Sequence, residues 1–454
     1  MLHVSGRGPG HTGWHDSWMK CRETGHKRQS AFRFGTCPVV KRIERGKKMS
    51  HSCDVAIVGA GPYGLSLAAH LRAQGVSFRI FGKPLDTWRS HMPRNMLLKS
   101  EGMASSLSAP EPNSTLKDYA AQRGIGYADH GLPVALDTFN AYAGDFLERF
   151  VPDLEETLVT AIARGADDFT LTLETGERVQ ARSVVLAIGI TPFAHTPDVL
   201  SALPPTALSH SFDHRDASQF KGLEIVVLGA GASAIDTAAL LDECSASVRI
   251  VARSPSIRFH TPPDADGTSL LKQLHKPPTG IGPGWRSFFC VNMPLMFHRL
   301  PEGLRLRATR THLGPAPGWF MRERIEGRIP SLLGQKLVRA QARGRHVTLQ
   351  IADSAGQLTL TCDHVVAATG YRPNLDRLTY LAPELRERIA TVQKTPILTD
   401  NFETSVRGLY FTGPAAANSF GPLMRFMVGA EFAAPRLAAH LQRRLGVAQT
   451  RRAA

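Results

Sequence analysis

Residues 54–65 read Asp54-Val-Ala-Ile-Val-Gly-Ala-Gly-Pro-Tyr-Gly-Leu65. A short apolar run ends in Gly59, and Gly61 and Gly64 follow at the spacing G-x-G-x-x-G. The run predicts a buried strand. Leu65 to Gln74 reads as a helix closed by Gly75, and Val76–Phe81 as a second strand. In that setting the three glycines act differently. Gly59 makes the tight turn, Gly61 lets backbone approach a pyrophosphate, and Gly64 lets helix and strand pack closely. The helix N-terminus then faces the phosphates. A glycine-rich turn without a ligand is the plainer alternative, but the flanking strand, helix and strand favour a dinucleotide site. The acidic residue usual at the end of the second strand, which binds ribose hydroxyls, is missing. The chain has Phe81-Gly82-Lys83 there, so Lys83 or water is expected to hold the ribose.

The pattern recurs about 170 residues on. Leu223-Glu-Ile-Val-Val-Leu-Gly-Ala-Gly-Ala-Ser-Ala-Ile-Asp236 gives a strand, then Gly229, Gly231 and Ala234 in the G-x-G-x-x-A variant. A helix is predicted to about Glu243 and a strand over Val248–Val251, ending in Ala252-Arg253-Ser254. An arginine where the acid would stand can pair with a 2′-phosphate, which favours NADPH over NADH. Its plainer reading is a solvated loop residue.

A further echo supports duplication. Phe169 to Val179 reads as a hairpin leading into the buried run Ala181 to Pro192. Later, Val347 to Ala352, a turn at Gly356 and Leu358–Thr361 lead into Asp363 to Pro373. Each nucleotide motif thus has its own meander and closing strand. The expected fold is α/β, with two dinucleotide-binding, Rossmann-like domains carrying β-meander insertions. The expected boundaries are 49–215 for the first part of the FAD-binding domain, 216–345 for the NAD(P)-binding domain, and 346–454 for the second part of the FAD-binding domain. Two such domains in one chain point to an electron relay, with a nicotinamide donor on one and a flavin acceptor on the other.

Composition agrees with an enzyme of this kind. The 454 residues carry a net charge of +15, but residues 1–48 alone hold eleven Lys/Arg against three Asp/Glu. The rest is only mildly basic, so nucleic acid is not an expected partner. Residues 1–48 show no hydrophobic period or apolar signal core and read as a basic, disordered extension, with Met49 as an alternative start. The longest apolar stretch, Ala415 to Leu441, is broken by Arg425, Glu431 and Arg436, so no membrane partner is expected. The six cysteines include no C-x-x-C pair, which argues against a zinc ribbon or a redox disulfide and for a reducing, cytoplasmic setting. No metal is expected, since the histidines form no H-E-x-x-H.

With these motifs in place, the chain resembles the class B flavoprotein monooxygenases near the ornithine and lysine N-hydroxylases, over about residues 52–440. The resemblance rests on Gly59 to Ala68, on Trp88 through Met96-Leu-Leu-Lys99, on Gly229-Ala-Gly231-Ala-Ser233-Ala, and on Asp363 through Ala368-Thr-Gly370-Tyr371. Within that layout the chain looks most similar to the bacterial FAD-dependent urate hydroxylase type. The resemblance implies FAD at Gly59, Gly61, Gly64 and Gly413, and NADPH or NADH at Gly229, Gly231, Ser233 and Arg253, with Gly370 in the signature. Gly408 to Gly413 resembles the strand that reaches the flavin ribityl chain, although Pro414 replaces the usual aspartate. Lys99 and Asn95 are the expected catalytic groups of the flavin-lining segment. Asn418 is the third expected catalytic group, its turn opening the last helix toward the flavin ring, or simply capping it. The implied reaction inserts one oxygen of O2 through a flavin C4a-hydroperoxide into a small nitrogenous molecule. Urate is the favoured substrate and a primary amine the alternative, its ammonium received by Asp264 and Asp266 after His260; a flavin NAD(P)H oxidoreductase that inserts no oxygen is the other alternative.

Overall fold

The chain is described by a computed structural model covering residues 52–262 and 274–446, which lie in one compact unit. The expected extension over 1–48, Met49, and the proposed ammonium receivers Asp264 and Asp266 lie outside the described residues.

The first glycine motif sits between β1 (Ser52–Val58) and α1 (Pro62–Ala73), followed by β2 (Phe78–Phe81). The helix begins at Pro62 rather than Leu65. Gly61 is extended at the N-cap, and proline at the first helical position costs no hydrogen bond and has its φ already set. After α2 (Leu116–Arg123) and α3 (Leu136–Phe150) come β3 (Val159–Arg164), β4 (Phe169–Leu173) and β5 (Arg178–Leu186). The sheet order is β2-β1-β5-β4-β3. β5 changes partner along its length. Its first half pairs antiparallel with β4, and its second half pairs parallel with a strand from far downstream, β16 (Leu409–Phe411).

β6 (Leu208–His210) opens the second fold. β7 (Glu224–Leu228), α4 (Ala232–Glu243) and β8 (Ser247–Ala252) carry the second glycine motif. α5 (Trp285–Asn292), α6 (Pro294–His298) and α7 (Glu302–Thr311) form a helical insertion before β9 (Ser331–Leu333). β10 (Lys336–Arg343), β11 (His346–Ala352) and β12 (Gln357–Cys362) form a separate antiparallel meander, and β13 (His364–Ala367) returns to give the parallel order β6-β13-β7-β8-β9. The sequence reading missed β10, because Lys336, Arg339 and Arg343 obscure its pattern and only Ala340 is buried. The expected boundary after residue 345 falls inside this meander. Strand pairing carries the second fold to Ala367, so residues 346–367 belong with it rather than with the first.

The short pair β14 (Thr391–Val392) and β15 (Thr395–Pro396) precedes β16, the single turn α8 (Ala417–Phe420), and the terminal helix α9 (Ala430–Leu445). Asn418 therefore does not open the last helix. Gly421, at φ +89°, and Pro422 end its turn, and the long helix starts nine residues beyond that glycine. α1 is buried along almost all its faces, including Ser66 and His70. α9 closes over it, with Gln442 donating to the Gln74 carbonyl at 3.3 Å, and just ahead of α9 the Phe426 carbonyl accepts the Tyr63 hydroxyl at 2.7 Å. The first fold is thus finished by residues from the C-terminal end, while the second lies continuously within it.

Candidate functional site

The two glycine turns are built alike. The Gly59 amide donates to the Phe81 carbonyl at 2.8 Å, and the Gly229 amide to the Val251 carbonyl at 2.9 Å. The Ala187 amide donates to Val58, and the Ala368 amide to Leu228. Gly59 lies at φ +112°, and a Cβ there would stand 2.4 Å from the Ala187 carbonyl oxygen. Gly229 lies at φ +134°, with the Ala368 carbonyl oxygen equally close at 2.4 Å. Only glycine fits either position. A Cβ on Gly64 would stand 1.9 Å from the Gly59 carbonyl oxygen, which explains the third glycine of the first motif. In the second motif Ala234 fills that place, buried against the core.

The middle glycines differ. A Cβ on Gly61 would meet nothing within 4 Å, so open space lies in front of the α1 N-terminus. That space fits a pyrophosphate, because the first-turn amides of α1 have no intrahelical partners. A Cβ on Gly231 would instead stand 3.1 Å from the Pro315 ring, and the adjacent Ala232 amide donates to the Pro315 carbonyl at 2.6 Å.

The matched strand ends put Lys83 and Arg253 at equivalent positions, each two residues past the carbonyl that receives the glycine amide. Both are exposed. The missing acid at the first site has a structural cause. Gly82, at φ +131°, lies against the Gly59–Ala60 backbone, where a Cβ would sit 3.3 Å from the Ala60 amide nitrogen. A carboxylate there would crowd the turn that it should serve. Ser233 is half-buried in the first turn of α4.

The closing strands end in matched glycines, Gly189 at φ +64° and Gly370 at φ +79°. These ends meet: the His195 amide donates to the Gly370 carbonyl at 2.9 Å, the Thr369 hydroxyl bonds the His195 carbonyl, and Ala194 bridges Tyr371. Gly370 thus joins the two folds. Gly413, at φ +73°, packs on the Tyr63 ring of α1, where a Cβ would come within 3.3 Å.

No hydrogen bond or ion pair links the expected catalytic residues to one another. Asn95 is an exposed loop residue at φ +59°. Asn418 donates to the Thr395 hydroxyl at 2.9 Å, fastening α8 to β15. Lys99 does reach the junction of the folds, but its ammonium is paired with Asp236 of α4. The Asp236 side chain is only 8% exposed and that of Lys99 23%, so the pair is largely desolvated. Sequence reading passed over Asp236, although a lone carboxylate in the small, apolar helix Ala-Ser-Ala-Ile-Asp-Thr-Ala-Ala-Leu-Leu was the available signal. It also treated Arg425 only as an interruption of an apolar stretch. Arg425 is largely buried, which lowers its pKa, and it donates to the His312 and Leu313 carbonyls at 2.6 and 3.0 Å.

Cys53, Cys290 and Cys362 are buried, and burial pushes their thiols up to about 12, 11 and 12. Such thiols stay protonated and unreactive at neutral pH. Among the described residues no cluster of His, Cys, Asp or Glu could hold a metal, and no helix is long and apolar enough to cross a membrane.

The family model of the pyridine nucleotide-disulphide oxidoreductases matches residues 53–276. The ferredoxin–NADP reductase of Paramagnetospirillum magneticum is 28% identical over 226 residues, 49% of this chain and 59% of that protein. The chain thus spans a little over half the length of that curated relative. Among solved structures, the ornithine N-hydroxylase of Kutzneria sp. 744, with reduced FAD, NADP+ and L-ornithine, superimposes with a TM-score of 0.69. It shares 17% identity and covers 87% of this chain and 100% of that one. DfoA of Erwinia amylovora, a cadaverine monooxygenase bound to FAD, gives 0.65 at 17% identity, over 88% of this chain and 97% of that one. The chain has the Rossmann-type α/β fold that these proteins share, as the duplicated motifs predicted. The expected pair of FAD and a nicotinamide nucleotide agrees with these names.

Proposed function

We propose that the chain is an FAD-dependent, NADPH-using monooxygenase that hydroxylates the nitrogen of a small primary amine. The observation that carries this reading is the pair of matched glycine cradles, joined through Gly370, His195 and the Lys99–Asp236 pair. Gly59, Gly61, Gly64 and the α1 N-terminus would hold the FAD pyrophosphate, with Gly413 beside α1. Gly229, Gly231, Ser233 and Arg253 would hold the nicotinamide dinucleotide. Bound FAD would supply a ring that accepts hydride and reacts with O2. Lys99 fixes the flavin-side loop to α4 rather than offering a free charge, because Asp236 already neutralises it.

Disulfide reduction is disfavoured, because the buried thiols are held protonated and the sequence has no C-x-x-C pair. Of the two substrates raised by the sequence, urate has no counterpart among the named neighbours, whereas ornithine and cadaverine are both amines. The curated relatives favour a second reading, NADPH oxidation with transfer of electrons to a ferredoxin.

NADPH oxidation and O2 uptake with ornithine, cadaverine and urate, each with hydroxylamine assay, distinguish these readings. Amine-dependent hydroxylamine formation is expected. Urate-dependent O2 uptake yielding 5-hydroxyisourate would replace the amine by urate. Rapid ferredoxin reduction without substrate oxygenation would favour the reductase. Arg253→Ala should weaken NADPH use by roughly 10- to 150-fold, the equivalent of about 1.5–3 kcal/mol for a hydrogen bond to a charged group, and leave NADH use nearly unchanged.

A further inference from the structure

The two cradles share their turn geometry, yet only the first is open. In the second, residues 312–318 cross in front of α4. An Ala316 amide bond to the Gly314 carbonyl at 2.8 Å folds Gly314-Pro315-Ala316 into a three-residue turn that presents the Pro315 carbonyl. That carbonyl accepts the Ala232 amide at 2.6 Å, and the pyrrolidine ring rests against Gly231. These are the features that receive a pyrophosphate in a fold of this type: a first-turn amide and the space beside the middle glycine.

The segment is fastened at both ends. Arg425 holds the His312 and Leu313 carbonyls, and the His260 amide donates to the Pro317 carbonyl at 2.9 Å. Between these anchors, Gly314 and Pro315 are exposed. The middle can leave the cradle without unfolding either anchor. A carbonyl is a weaker partner for the amide than a phosphate oxygen, because a hydrogen bond to an ionised acceptor is stronger.

We infer that residues 314–316 are a built-in plug of the second cradle, a neutral stand-in for the pyrophosphate that a nicotinamide dinucleotide must displace in order to bind. The inference rests on the nicotinamide reading of that cradle. The plug keeps the α4 terminus satisfied in the free protein and sets a threshold for donor binding, since affinity falls by the fraction of molecules with the plug released.

The test uses the full chain and NADP+ as probe. With saturating NADP+, hydrogen exchange should quicken at the Ala316 amide, whose turn leaves the cradle, while the His260 amide stays protected by its Pro317 anchor and the Ala232 amide by its new partner. Unchanged or slower exchange at Ala316 with NADP+ bound overturns the plug alone. In calorimetric titration the variant Pro315→Gly, with the plug's ring removed and its backbone loosened, should bind NADP+ at least fivefold more tightly, with unchanged flavin content. Equal or weaker binding by the folded variant overturns the plug. If that variant does not fold, the exchange measurement on the unaltered chain decides. If neither protein binds NADP+ or NAD+, the nicotinamide reading falls and the plug with it.

Discussion

At the scale of single residues, three glycines of one motif do three different things. Gly59 is required by the protein itself, because its φ of +112° and the nearby Ala187 carbonyl exclude any side chain. Gly61 is not so required, since its Cβ direction is empty. The two positions should therefore respond oppositely. Gly61→Val should abolish flavin content, because the valine fills the space we assign to the ligand, and should melt like the unaltered protein stripped of its flavin. Gly59→Ala should destabilise the fold by on the order of 1–3 kcal/mol or more, as a strained backbone position would. Thermal melts with flavin quantification on both variants separate the two. A Gly61→Val protein that retains flavin would remove the first motif from the cofactor assignment. The motif was fully legible in the sequence because glycine spacing is a local property. The side chains around it were not. Lys99 stood out as a cation near a flavin-lining segment, but its partner Asp236 lies 137 residues away, and only the fold brings them together.

At the scale of elements, the Lys99–Asp236 pair ties the loop after β2 to α4, and each charge depends on the other. Breaking a largely buried pair from one side leaves an uncompensated charge and costs about 3 kcal/mol, at the lower end for such pairs because Lys99 is partly exposed. Lys99→Met should show that loss in urea denaturation, and Lys99→Met/Asp236→Leu should recover most of it. If the double variant is no better than the single, the pair does not act as a unit.

A second network fastens β6 to β13. The Gln219 amide donates to His214 Nδ1 at 3.1 Å, His214 Nε2 to Ser209 Oγ at 2.6 Å, Ser209 to His364 Nε2 at 2.7 Å, and His364 Nδ1 to the Thr206 carbonyl at 3.1 Å. This chain is complete with both rings neutral. Burial lowers the pKa of both histidines below the usual value. The unfolded chain then binds protons more readily, so the contribution to stability is full above about pH 6.5 and is lost as pH falls below it toward the folded-state values. Unfolding midpoints should drop between pH 7.5 and 5.5, and His364→Gln should flatten that dependence. An identical slope in the variant would exclude the network as its source. Hydrogen bonding among His214, Ser209 and His364 links β6 to β13 and carries no sequence period, so the sequence could not announce it.

At the scale of the whole molecule, the duplicated architecture was readable because each copy repeats strand, glycine turn, helix and meander. Its boundaries were less readable. β5 serves both as a meander strand and as the closing strand of the first sheet, whereas Asp363 separates those roles in the second copy, with its amide bonded to the Glu224 carbonyl and its carboxylate accepting the Glu224 amide. The missed β10 and the displaced start of the last helix have the same origin, for both depend on which surface the rest of the chain covers. The order of the pieces along the chain also fixes an order in time. α1 and the first glycine turn are among the first described residues to leave the ribosome, yet β16 and α9, which complete their sheet and cover their helix, are among the last. The second fold, from β6 to β13, emerges whole in between. During synthesis the inner fold can therefore close while the outer one still waits with an apolar helix uncovered. The first cradle, to which we assign the flavin, is begun first and finished last, so a chain halted before Leu409 should carry a protease-resistant inner fold and no yellow colour.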